Sequence, residues 1–106
     1  MLIVNTETIA GYQIIEVRGL VQGSTVRAKH IGRDIGASLK GIIGGELKAY
    51  TEMMSEARTE AVARLDAEAA AIGANAVVNL RFATADVVGA GAEILAYGTA
   101  VVAQPI

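Results

Sequence analysis

The one histidine of this 106-residue chain, His30, lies in the run Arg27-Ala28-Lys29-His30-Ile31-Gly32-Arg33, where positive charge and glycine occur together. Cationic side chains ahead of a short helix can hold phosphate or carboxylate with help from backbone N–H groups, so Arg27, Lys29 and Arg33 are candidates for a small-anion or nucleotide site. The spacing is not that of a P-loop, since no Gly-Lys-Ser/Thr follows four residues after a glycine, and no dinucleotide fingerprint is present. The plainer alternative pairs these charges with Asp34, Glu46 or a neighbouring copy.

A metal site is harder to build. Heavy metals favour thiolates or clustered imidazoles, and the chain has no cysteine, one histidine and three methionines. Symmetry-related copies could still gather His30, Glu16 or Glu93 around an axis, with a divalent ion as the implied cofactor. Against this, a helix-proximal histidine commonly serves as a surface or capping residue. Met53 and Met54 do not form a soft-ligand pair, because adjacent helical residues point about 100° apart; packing is the better use for them. Ser24 and Thr25 have no identifiable base, so no nucleophilic triad can be assembled, and the residues favour a binding or structural role over catalysis.

The elements that must carry these residues come from a chain that is 53% apolar and only 19% charged, against about 25% charge in ordinary soluble domains. A single domain over residues 1–106 cannot bury all of that apolar surface, so self-association is expected. No stretch approaches the roughly 18 consecutive apolar residues of a membrane span, and Met1-Leu2-Ile3-Val4 is too short for a signal peptide. The absence of cysteine fits a reducing compartment, the cytoplasm by default. A net charge of −2 with one Phe and three Tyr disfavours nucleic acid as a partner.

Tyr12–Arg18 has the β-branched content of a first strand, and Leu20–Val26 can continue it, with a bulge or bend at Gly19 and Gly23. Ile31, Ile35 and Leu39 recur every four residues and predict a short helix from His30 to Leu39. Leu47, Tyr50, Met54, Ala57, Ala61, Leu65, Ala69 and Ile72 alternate steps of three and four, which predicts a long amphipathic helix over 46–72 ended by Gly73. Its opposite face carries Lys48, Glu52, Glu56, Thr59, Glu60, Arg64 and Asp66. Ala76–Thr84 and Glu93–Val102 read as two strands of an antiparallel hairpin around Gly89-Ala90-Gly91.

The fold expected is α+β: a two-layer β-α-β-β subunit whose antiparallel sheet of about three strands is packed by one long helix. The face away from the helix would display Ile14, Glu16 and Arg18, then Val77, Asn79 and Arg81, then Leu95, Tyr97, Thr99 and Val101. That mixture suits a subunit interface. Glu16, Arg81 and Tyr97 join the ligand candidates there, beside Arg18, Asn79, Glu93 and Thr99. The alternatives are cross-strand ion pairing and, for Tyr97 beside Gly98, a notch filled at a subunit contact.

Three segments carry a family resemblance: Gly23-Ser24-Thr25-Val26-Arg27, Gly32-Arg33-Asp34-Ile35-Gly36-Ala37 and Gly44-Gly45-Glu46-Leu47-Lys48-Ala49-Tyr50-Thr51-Glu52. With Glu56-Ala57-Arg58, Gly73-Ala74-Asn75-Ala76-Val77-Val78 and Ala96-Tyr97-Gly98-Thr99-Ala100-Val101, nearly the whole chain resembles the YbjQ-like family of small bacterial and archaeal proteins. The resemblance implies a dodecin-like subunit, assembled as a homopentamer in which short extra strands join neighbours. It also implies an uncharacterised function, with a heavy-metal-binding label on some members. Five-fold symmetry could then gather five copies of His30, Glu16 or Glu93 around an axis.

Overall fold

The computed structural model describes residues 1–28, 45–87 and 91–106. Five elements follow in chain order: β1 (Leu2–Ile3), β2 (Tyr12–Ala28), α1 (Gly45–Ala71), β3 (Ala76–Val87) and β4 (Gly91–Pro105). The helix packs on a four-stranded sheet of order β1-β3-β4-β2. The short helix expected over His30–Leu39 lies outside the described residues.

The expected antiparallel sheet of about three strands is corrected to four strands and a mixed sheet. β3 and β4 pair antiparallel, as do β2 and β4. The added strand is the N-terminal Leu2–Ile3, which runs parallel to Ala76–Val77. The Leu2 and Val4 amides donate to the Asn75 and Val77 carbonyls at 3.3 and 2.9 Å. A 17-residue β2 at about 3.3 Å per residue accounts for the long axis of the molecule, whose extents are 55 × 26 × 16 Å. The radius of gyration is 17.0 Å, against about 13 Å for a compact chain of this length.

The helix is held by a row of small residues. Ala57, Ala61, Leu65 and Ala69 recur every four residues and are fully buried, in one cluster with Val21, Val77, Ile94, Ala96 and Ala100. The approach is so close that a Cβ at Gly23 would collide with the backbone of Ala61 and Leu65. Gly23 therefore does not mark a bend in β2; it makes room for α1. The bulge expected at Gly19 is present, with a register shift between Val17 and Gly19 and a second between Ile14 and Glu16. Gly73 ends the helix at φ +82°, its amide donating to Ala70 and that of Ala74 to Ala69. These two bonds satisfy carbonyls that the last turn would otherwise leave open.

A bulge in β3 reverses the predicted faces of the residues before it, Ala76, Val77 and Val78, and leaves those of Leu80, Arg81 and Phe82 as expected. Between Val78, opposite Thr99, and Arg81, opposite Tyr97, β3 has one residue more than β4. Asn79 absorbs it at φ 55°, a left-handed conformation that asparagine tolerates better than most residues. Its amide donates to Thr6 at 3.0 Å. Val77 is consequently buried under the helix with Leu80 packed beside it, while Ala76 and Val78 face the other way. Gly98 sits across from this bulge, where a Cβ would come within 2.8 Å of a Val77 methyl and 3.0 Å of the Val78 carbonyl.

Candidate functional site

The face of the sheet opposite the helix is divided into two halves. At one end the segment after β1 folds back over it, and Ile9 is buried with Ala76, Val78, Val101 and Ala103, with Val4 and Ile14 packed around them. Ile14 and Val101, expected on an open face, are therefore covered by the chain's own N-terminal residues. The Asn75 carboxamide fastens this end, accepting from the Ala103 amide and donating to the Ala103 carbonyl, both at 2.8 Å.

The other half is bare. Cross-strand register places Val17 opposite Val101, Leu20 opposite Thr99, Gln22 opposite Tyr97 and Val26 opposite Glu93, so these side chains share the face away from α1. Val17 is 66% exposed, Leu20 72% and Val26 54%, and Tyr97 is exposed beside them. Arg81 pairs in register with Tyr97 from β3. Of the ligand candidates, the structure brings these two together.

The others are separated. Arg18 lies on the opposite side of the sheet, its guanidinium beside Gly73 at the end of α1, where a cation complements the negative end of the helix dipole. Glu16 is 3.3 Å from Arg18, so this pair leaves the bare face, contrary to expectation. Glu93 stands opposite Val26 and Ala85, and Glu16 opposite Val102. Nine residues of β4 separate those two positions, about 30 Å of strand. Arg27 pairs in register with Ala92. Lys29, His30 and Arg33 lie outside the described residues. Among the described residues no group of three or more His, Asp or Glu could hold a metal ion.

Arg81 is partly committed. Its Nη1 donates to the Asn5 carbonyl at 2.8 Å and to the Leu80 carbonyl at 3.0 Å. These bonds pin it near an open cleft of about 520 Å³ lined by Ile3, Val4, Asn5, Thr6, Leu80 and Phe82. The sequence reading missed this cleft, because β1 was not identified as a strand beside β3. The signal available was Asn79, a residue suited to positive φ in the middle of a β-branched run.

Two polar residues of α1 bond to β2: Glu68 accepts from the Gln22 amide at 3.3 Å, and Arg64 donates from Nη1 to the Ser24 carbonyl and from Nη2 to Glu60. The buried Thr25 hydroxyl donates to the Ala57 carbonyl at 3.1 Å. No described helix is long and apolar enough to cross a membrane.

One helix laid on a four-stranded mixed sheet, with a half-bare reverse face, defines an α+β subunit. A crystal structure of a protein of unknown function in the DUF74 family, from Pediococcus pentosaceus, has a similar fold: TM-score 0.57 over 100% of this chain and 98% of that one, at 18% identity. Residues 1–104 match the YbjQ family, described as "Putative heavy-metal-binding". A UPF0145 protein of Hahella chejuensis is 58% identical over 98% of this chain and 100% of its own length. Another, of Pyrococcus horikoshii, is 56% identical over 100% of this chain and 91% of its own length. The chain belongs to this YbjQ/UPF0145 family.

Proposed function

We propose that the chain is the subunit of a homo-oligomer, five-membered as the family resemblance implies, and that its binding site is shared between copies. The supporting observation is the bare half of the sheet, where Val17, Leu20, Val26 and Tyr97 stand exposed together. Single exposed apolar residues are ordinary on a protein surface; several large ones along one face of one strand pair are what a contact surface would use. Arg81 and Tyr97 lie on it, so a ligand held there would meet an arginine and a phenol at the junction of two copies. Light scattering after size exclusion at low micromolar concentration is the test: a mass near five subunits is expected, and a monomer removes the proposal.

The heavy-metal reading draws its support from the family description. One copy supplies no thiolate and, among its described residues, no donor cluster, and Glu16 is already paired with Arg18. A metal would have to take donors from several copies, with His30 or Glu93 repeated about an axis. Dialysis against zinc, copper and nickel should then leave stoichiometric metal that His30→Ala or Glu93→Gln abolishes. Absence of retained metal in the assembled protein refutes this reading and leaves the oligomer standing.

A further inference from the structure

β2 is an edge strand of 17 residues, and an edge of that length presents a row of unpaired N–H and C=O groups to any passing strand. From Gly19 to Ala28 its register with β4 is unbroken. In an antiparallel ladder alternate residues point both backbone groups away from the partner. Because the Gln22 amide and the Ser24 carbonyl are bonded to α1 instead of β4, the outward set is Leu20, Gln22, Ser24, Val26 and Ala28.

The helix meets two members of this set, Gln22 and Ser24, by a match of pitch. Four residues of helix rise about 6.0 Å and two residues of strand about 6.6 Å, so side chains at i, i+4 can address backbone groups at j, j−2 on a strand running the other way. Arg64 reaches Ser24, and four residues on, Glu68 reaches Gln22. The row continues as Glu56, Glu60, Arg64 and Glu68, directly beside the buried row of Ala57, Ala61, Leu65 and Ala69. Glu60 holds the Arg64 guanidinium from one turn back. The chemistry is the right way round, with a carboxylate on the amide and a guanidinium on the carbonyl.

We propose that Arg64 and Glu68 close the outer edge of β2 to pairing by a second chain, so that copies meet through the bare sheet face and not through this edge. The first half stands on these hydrogen bonds alone; the second rests on the assembly reading above.

The test is the double variant Arg64→Ala/Glu68→Ala, with Glu68→Ala alone as the milder form should the double variant not fold by circular dichroism. Hydrogen exchange at the Gln22 amide should accelerate roughly tenfold, the loss of one hydrogen bond to a charged acceptor, while the Val21 and Gly23 amides, facing β4, stay protected. The variant should also form species heavier than the wild type that bind thioflavin T. Adding Ser24→Pro, which removes an outward N–H and blocks a strand from pairing there, should abolish those species. The proposal is overturned if the Gln22 amide of the wild type exchanges like free peptide, if heavier species never form, or if they persist with Ser24→Pro. A monomeric wild type would remove the assembly reading and leave the comparison of variants intact.

Discussion

The two faces of the sheet solve the same problem in opposite ways. Under α1 the strands contribute Val21, Gly23, Ala96, Gly98 and Ala100, small or β-branched residues buried against a helix row of alanines and Leu65, while Phe82, on the same face as its register partner Ala96, is 45% exposed. On the reverse face β2 and β4 contribute larger residues, Val17, Leu20, Val26 and Tyr97, and these are exposed. The faces differ in residue size, which lets the helix approach one of them closely, and in whether this chain has an element to lay on them. The helix covers most of one face, the segment after β1 covers part of the other, and the chain supplies no described element for the remainder.

If that contrast is right, substitutions beneath the helix should cost the most. Gly23→Val should be the worst, because the added atoms meet the backbone of Ala61 and Leu65 and not a side chain that can swing away. Overpacking typically costs about 1–3 kcal/mol and more where a whole element must shift, so loss of the cooperative thermal transition is expected. Leu65→Ala, at a fully buried position, should cost about 2–5 kcal/mol by denaturant titration. A well-folded Gly23→Val protein would mean that α1 sits further from β2 than the described packing.

How much of this was legible depends on whether the governing contact was local. The long helix and its Gly73 stop were readable because the period of 3.6 and the left-handed C-terminus are properties of neighbouring residues. The hairpin of β3 and β4 was readable for the same reason. The phase of β3 was not: strict alternation put Val77 on the open face, and one extra residue at Asn79 moved it under the helix. Arg18 was misplaced likewise, because its position beside Gly73 depends on a bulge at Val17–Gly19 and a helix end some 55 residues later. Arg81 and Tyr97 were placed on one face and do share it, since both lie beyond the bulge in regular register. Arg64 and Glu68 were hidden by a different cause: four-residue spacing of charges on a helix looks the same whether the row faces water or a strand edge.

The covered end of the reverse face offers a milder test. Asn75 makes two 2.8 Å hydrogen bonds to the backbone of Ala103, each worth about 0.5–1.5 kcal/mol net. Asn75→Ala should therefore cost about 1–3 kcal/mol, and exchange of the Ala103 amide should rise with it. Asn75→Asp should keep the bond from the Ala103 amide but set a second acceptor against the Ala103 carbonyl, so it should also be less stable than the wild type. Equal stability of all three proteins would show that the covered end is held by Ile9 and its apolar neighbours alone.

The smallest effect on the folded chain should come from the bare half, and it separates the faces most sharply. Leu20 is 72% exposed, so in an isolated chain Leu20→Ser is a surface change worth within about 0.5 kcal/mol. In an assembly that uses this face, the same substitution removes apolar contact from every interface at once, and a closed ring repeats that loss at each junction. Light scattering should then show a lower mass at equal concentration. The melting temperature should also fall with dilution more steeply than that of the wild type, because coupling to association makes it concentration-dependent. A mass and a melting curve both indistinguishable from the wild type would place Leu20 outside any contact and remove the distinction between a face this chain covers and one that other copies cover.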